Sequence, residues 1–299
     1  MKTQKKYPAK YSFEFFPPRT PEAAGKLQMA QERLAKFNPD FFSVTFGAGG
    51  TTRDRTMETV LDIREKTGIE GVPHISCIGY GTDHIKEILN TYKEKDIKSL
   101  VVLRGDMPSG TAGMGPLRYA NELVEFIRKE YGDYFHIEVA AYPEVHPQAP
   151  SVKHDLQNFK RKVDAGADTA ITQYFYNAEA YFRFIDDCEK LGIDIPIVPG
   201  VMPIINCTQL VRFSEACGAE IPRFILKRLR DFGDDRVSIR EFGIDVTTQL
   251  AETLLEGGAP GMHIYTLNQP EASEAILKNL GIDKNRNAKE AKPKAAKAG

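Results

Sequence analysis

The stretch YSFEFFPPRT, residues 11–20, sets Glu14 among three phenylalanines. A carboxylate in an apolar strand is costly unless it is paired, protonated or used. Aromatic surroundings desolvate it and are expected to raise its pKa. A second group lies in HDLQNFKRKVDAGAD. If that stretch is a helix, Asp155, Asn158 and Lys162 share one side, with Arg161 beside Asn158. Together with Arg104 and His74 they have the chemistry to hold a phosphate or pyrophosphate and ribose hydroxyls. A solvated charged helix face is the alternative on spacing alone.

These groups need elements to position them. Runs rich in β-branched and aromatic residues predict strands at 11–16, 40–46, 72–77, 98–103, 136–141, 168–173, 195–199 and 261–265. Amphipathic stretches with apolar residues three and four apart separate most of them. Several end in a glycine suited to a left-handed C-cap, as in KTGIEGVP, DAGAD, KLGIDIP and LEGGAPG. Eight strands alternating with helices predict an α/β fold, a single-domain (β/α)8 TIM barrel over residues 1–282, with an open doubly wound sheet as the alternative. The open sheet would carry GxGxxG after a strand. The nearest match, FGAGGTT, has Gly47 and Gly49 but Thr52 at the third position. Residues 283–299, rich in Lys, Ala and Asn, read as a disordered tail.

A barrel binds ligands at the C-terminal ends of its strands. The residues expected there are Glu14, Thr45, Ala48, His74, Arg104, Gly105, Asp106, Tyr142, Glu144, His146, Gln173, Tyr265, Asn268 and Gln269. No strand end offers the lysine of a Schiff-base aldolase. Glu14 and Asp106 could formally serve a glycosidase, but a chain with no Trp lacks the usual sugar platform. The six histidines show no HxH or HExxH spacing, so no metal site is expected.

Composition narrows the class further. A net charge of −1 over 299 residues provides no general field for nucleic acid or an anionic membrane. No apolar run approaches the roughly 20 residues of a membrane span. Cys77, Cys188, Cys207 and Cys217 are scattered, as free thiols of a cytoplasmic protein would be.

The ordered blocks SFEFFPPRT, FFSVTFGAGGTTRDRT, PHISCI, LRGDMP, AAYPEVHP, NFKRKVDAGAD, ITQYFYN, PGVMPI and HIYTLN resemble the 5,10-methylenetetrahydrofolate reductase family in its bacterial single-domain form, over residues 10–280. The resemblance implies a barrel holding non-covalent FAD. It implies reduction of the flavin by NADH or NADPH, then reduction of methylenetetrahydrofolate to 5-methyltetrahydrofolate at the same face, feeding methionine synthesis. A homo-oligomer is expected. Carried over by motif, Glu14 looks like the general acid and Asp106 like the residue beside the flavin pyrimidine and the folate pterin. Thr45, Phe46, Ala48, His74, Arg104, Gly105, Asp106, Tyr119, Ala120, Tyr142, His146, Asp155, Asn158, Arg161 and Lys162 fall on FAD-contacting positions. Asp106, Gln173, Gln209, Phe213, Tyr265 and Gln269 fall on substrate positions. Gln269 stands where the family commonly has Arg, which removes a cationic partner for the folate glutamate tail. Another barrel flavoprotein, of the proline-dehydrogenase kind, is the alternative.

Overall fold

In the computed structural model, residues 3–46, 50–106, 113 and 115–282 are described. Ala48 and the expected tail, 283–299, lie outside them. The chain alternates strand and helix: β1 (Lys10–Phe15), α1 (Pro21–Ala35), β2 (Phe41–Val44), α2 (Gly50–Thr67), β3 (Glu70–Ser76), α3 (Thr82–Glu94), β4 (Ser99–Leu103), α4 (Ala120–Tyr131), β5 (His136–Ala141), α5 (Val152–Asp164), β6 (Thr169–Thr172) and α6 (Ala178–Lys190). Then come β7 (Ile197–Val198), β8 (Gly200–Val201), α7 (Cys207–Cys217), α8 (Arg223–Asp231), α9 (Arg236–Gly257), β9 (Gly261–Tyr265) and α10 (Pro270–Asn279).

All strand pairings are parallel, in the order β7-β6-β5-β4-β3-β2-β1-β9-β8. The two ends of that order are adjacent in sequence, since Pro199 alone separates β7 from β8. They form one barrel strand broken at a proline. Its first half pairs with β6 and its second with β9. The predicted (β/α)8 barrel is therefore borne out; the strand expected at 195–199 is observed as Ile197–Val198, and a second short piece, Gly200–Val201, lies beyond it. Proline has no N–H for a ladder. Side chains bridge the gap: the Gly200 N–H donates to Thr172 Oγ1 at 2.9 Å, and the Tyr265 hydroxyl donates to the Thr172 carbonyl at 2.7 Å. A Cβ at Gly200 would sit 2.1 Å from that carbonyl, so only glycine fits.

Local chemistry explains the helices. Thr20, Ser151, Asn177, Asn206 and Asp235 each accept a backbone N–H at a helix start, which satisfies an otherwise orphaned donor. The glycines expected at helix ends have left-handed φ values of 71° (Gly68), 111° (Gly166), 68° (Gly192) and 98° (Gly258). Sequence patterning did not separate α7, α8 and α9, which all fall between β8 and β9.

Two apolar layers result. Outward-facing residues such as Phe13, Phe15, Val44 and Ile75 are buried against the helices. Phe13 and Phe15 meet Phe42 edge-on, with ring centroids 5.8 and 5.2 Å away. Full burial of each phenylalanine contributes about 1.5–3 kcal/mol. Inside the barrel, Phe41, Val72, Val101 and Ile171 form a plug. A separate cluster of Tyr174, Tyr176, Met202, Ile204, Leu210, Ile225, Leu229 and Ile239 ties α7, α8 and α9 to the ends of β6 and β8.

Candidate functional site

Alternation along β1 turns Phe13 and Phe15 outward and Ser12 and Glu14 into the barrel. The phenylalanine shell expected around Glu14 is thus on the other side of the sheet. Phe16, 46% exposed just past the end of the strand, lines the cavity with Glu14, and of the other two rings only Phe15 borders it. Polar neighbours replace the rings. His74 Nε2, on β3, lies 3.4 Å from Glu14 Oε2. His263 Nε2, on β9, lies 3.6 Å from the same oxygen. His263 Nδ1 is 2.7 Å from Ser12 Oγ.

The expectation of a raised Glu14 pKa is overturned by this arrangement. Burial pushes the carboxyl up. The His263 ring, and the charge that either imidazole can carry, pull it down more strongly, and it ends below its ordinary value. The His74 ring is pushed down to about 4, chiefly by burial, with His263 adding to the effect and Glu14 opposing it.

The backbone holding Glu14 is clamped by the segment after β9. The Glu14 carbonyl accepts from Thr266 N at 3.3 Å and Thr266 Oγ1 at 2.7 Å. Asn268 bonds both polar groups of Phe16: its Oδ1 accepts from Phe16 N at 3.0 Å and its Nδ2 donates to Phe16 O at 2.9 Å. Leu267 and Asn268 take left-handed φ values of 51° and 58° to make that reach.

Above Glu14 opens a cavity of about 360 Å³ at the strand C-termini. Of the expected site residues it brings together Glu14, Thr45, Phe46, His74, Tyr142, Gln173 and Tyr265. Sequence reasoning placed Phe16 on the face of Glu14 but did not single out Leu103, Tyr174, Met202 and Thr266, which also line it. Gln209 and Phe213 lie on α7 outside this lining, and Arg212 stacks its guanidinium 5.3 Å from the Phe213 ring centroid. Gln269 is exposed at the start of α10.

The remaining expected residues lie to one side, around β4, β5 and α5. The Arg104 carbonyl accepts from Cys77 N at 3.2 Å and Ile78 N at 3.0 Å, which ties the β3 and β4 ends together. Gly105 follows with φ of 82°, and a Cβ there would meet Ser76 Cβ at 2.7 Å. Asp106 is exposed just beyond. Tyr119 and Ala120 open α4, with Tyr119 N donating to Glu122 Oε2 at 3.2 Å. The Tyr142 and His146 rings meet edge to face at 4.6 Å. The phenol is pushed up to about 12 by burial, and the imidazole is pushed down by burial. His146 N donates to Asp155 Oδ2 at 2.9 Å, which fixes the loop against α5. On α5, Arg161 donates to Asn158 and Lys162 donates to the Ala140 carbonyl. Burial brings the Lys162 ammonium down to about 8, with Asp155 opposing. A buried ammonium whose bonding partner among the described residues is a single carbonyl is suited to an incoming anion.

A second cavity of about 450 Å³ lies behind Tyr142, between α5 and α6. It is larger, but the converging histidines and Glu14 belong to the first. His263 and Ser12 were missed because His263 in GMHIY resembles a core histidine. The available signal was parity: His263 shares a face with Tyr265, as Ser12 does with Glu14.

Comparison with known proteins agrees with this geometry. The family model described as methylenetetrahydrofolate reductase matches residues 2–281. The 5,10-methylenetetrahydrofolate reductase of Escherichia coli K12 is 42% identical over 271 residues, 91% of this chain and 90% of that one. Methylenetetrahydrofolate reductase (NADH) 1 of Zea mays is 38% identical over 285 residues, 91% of this chain and 48% of that one. A solved structure, an uncharacterized Clostridium thermocellum protein that binds two copies of 5-methyl-5,6,7,8-tetrahydrofolic acid, shares the fold. It aligns with a TM-score of 0.65 at 16% identity over 93% of this chain and 95% of that one. A barrel with one carboxylate set between two histidines beneath a cavity at its strand ends, and 42% identity to a named reductase across nine-tenths of both chains, place this protein in the methylenetetrahydrofolate reductase family of oxidoreductases.

Proposed function

We propose that the chain reduces 5,10-methylenetetrahydrofolate to 5-methyltetrahydrofolate with electrons from NADH or NADPH, passed through a non-covalent FAD in a ping-pong sequence. The observation that carries this reading is that Glu14 is the one carboxylate among the described residues lining the cavity. Forming a 5-methyl product requires the bond between the bridge carbon and N10 to break. The electron pair goes to N10, which needs a proton at that moment, and Glu14 would deliver it.

The residues beside the cavity fit FAD. Lys162, buried and lowered to about 8, supplies a cation that an anion would favour, and Arg104 and His146 lie near it. These three would hold the pyrophosphate, while Asp155, Asn158 and Arg161 would meet the ribose and adenine end. When bound, FAD supplies the hydride relay between nicotinamide and folate. Thr45, Phe46, His74 and Tyr142 would border the isoalloxazine, with Ala48, Gly105, Tyr119 and Ala120 around it. Asp106 would meet the flavin pyrimidine and the pterin. Gln173, Tyr265, Gln209, Phe213 and Gln269 would contact whichever substrate is present. Because nucleotide and folate take turns at one face, neither has to share the cavity. Among the described residues no helix is long and apolar enough to cross a membrane. We place the enzyme in the cytoplasm, supplying a methyl donor for methionine synthesis.

The test is spectroscopic. Purified protein should be yellow, should bleach under anaerobic NADH or NADPH, and should recover its colour when methylenetetrahydrofolate is added. Failure of both nucleotides to bleach bound flavin overturns the reading. Recovery with a proline-type product instead of the folate would favour an amine oxidoreductase.

A further inference from the structure

Two imidazoles approach the same Glu14 oxygen, but they are held differently. His74 is 5% exposed and His263 is fully buried. Neither Nε2 has a hydrogen-bond partner among the described residues, and both point at Glu14 Oε2, at 3.4 and 3.6 Å. Only His263 has its far nitrogen fixed by a group able to serve either protonation state. Its Nδ1 lies 2.7 Å from Ser12 Oγ. The serine oxygen accepts from Nδ1–H both in the imidazolium and in the neutral ring whose Nε2 is bare. The ring can therefore gain or lose a proton at Nε2 without turning and without leaving Nδ1 unpaired.

We propose that His263 is a positioning residue for this reaction: anchored by Ser12, it shares with Glu14 the single proton that folate reduction consumes. The proposal rests on the function proposed above. In the resting site that proton lies on His263 Nε2 or on a Glu14 carboxyl oxygen. As the bond from bridge carbon to N10 breaks, its electron pair moves to N10. The Glu14 O–H bond breaks and its proton goes to N10. The carboxylate and the neutral imidazole left behind take one proton from solvent before the next turnover. This answers the difficulty raised by the low Glu14 pKa in the free site, because a carboxylate that is ionised alone becomes a donor through a neighbour that holds its proton. His74, lowered to about 4, stays neutral over the same range and cannot be that neighbour. The titratable groups facing Glu14 are His74 from β3 and His263 and Tyr265 from β9. β2 contributes Ser43 opposite it, which does not titrate.

Two measurements test this. In protein labelled with ¹⁵N-histidine, the Nε2 signal of His263 at fixed pH should move in Glu14→Gln, because the carboxylate facing that nitrogen is gone. An unchanged signal overturns the proposal, and this readout needs no turnover. In flavin-loaded protein, His263→Gln should leave NADH bleaching within about two-fold and slow folate-driven recovery by about ten-fold or more, with a shifted pH profile. Ser12→Ala should do the same to a smaller degree, and it stands in if the histidine variant does not fold. Equal slowing of both half-reactions, or a recovery profile superimposed on the parent's, overturns the proposal. If the parent itself fails to bleach or to recover, the proposed function falls first. A His263 signal that still follows Glu14 would then leave the shared proton standing without that reaction.

Discussion

Two glutamates point into this barrel, on strands that face each other across it, and their surroundings drive them in opposite directions. Glu14, on β1 near the mouth, meets two imidazole nitrogens at 3.4 and 3.6 Å and is held below its ordinary pKa. Glu138, on β5 near the floor, is 2% exposed, and its Oε2 has no hydrogen-bond partner among the described residues. A histidine is near it too, but His136 Nε2 is 4.0 Å away and lies 3.0 Å from Thr169 Oγ1. Burial then pushes Glu138 up to about 8. Lys10 opposes this, and Glu70, Asp168 and Asp40 add to it. Burial of a carboxyl does not decide its charge. The aim of the nearest donors does. At pH 7 the floor glutamate is a neutral acid with nothing to protonate, and the mouth glutamate is an anion beside a cavity.

The contrast is broken most sharply at the mouth. Glu14→Gln should reduce folate-driven flavin recovery by roughly 10²–10⁴-fold while bleaching by NADH stays within a few-fold. Anaerobic stopped-flow separates the two. Loss of both half-reactions would reduce Glu14 to scaffold, no different in kind from Glu138.

At the floor the expected effect is on stability. A carboxyl raised from 4.5 to about 8 binds a proton in the folded state that the unfolded chain has released. Its contribution is complete below pH 4.5, declines as the pH rises, and is gone above about 8. At 1.36 kcal/mol per unit this amounts to an upper bound on the order of 5 kcal/mol. Urea unfolding of Glu138→Gln across pH 5–9 should lack that decline. Parallel curves for parent and variant would mean the floor is better solvated than its burial indicates.

The smallest change asks whether the floor can be made to resemble the mouth. Thr169→Val removes the hydroxyl that occupies His136 Nε2 and frees the ring to turn toward Glu138. The decline in stability should then end about one pH unit lower, with less than about 1 kcal/mol change at pH 6. An unmoved midpoint would show that distance, not the competing hydroxyl, separates His136 from Glu138.

Glu14 was legible in sequence because a charge interrupted an apolar strand, and the barrel was legible because strands and helices alternated with glycine stops. The surroundings of Glu14 were not. They depend on β1 lying between β2 and β9, with Ser12 opposite His263 and Glu14 opposite Tyr265. That pairing joins segments 251 residues apart, as the bond from Ser12 to His263 shows. Reading Glu14 by its sequence neighbours put it among phenylalanines, whereas alternation sends Phe13 and Phe15 to the other face. Glu138 in HIEVAA escaped notice for the same reason, since a residue's pKa is set across the barrel and not along the strand. The break at Pro199 was hidden because IPIVPGVMP resembles one apolar strand with a proline in it.

That break has a consequence for how the molecule responds to what it binds. At the seam, closure of the ring of strands passes through Thr172, held by the Tyr265 phenol on one side and by the Gly200 amide on the other. Tyr265 is also a wall of the cavity. Whatever fills the cavity presses on the clasp that keeps the barrel a closed hoop and not a curled ribbon. The amides of Gly200 and Val201 should therefore act as a gauge of occupancy, trading hydrogen for deuterium quickly when the cavity is vacant and slowly when it is filled.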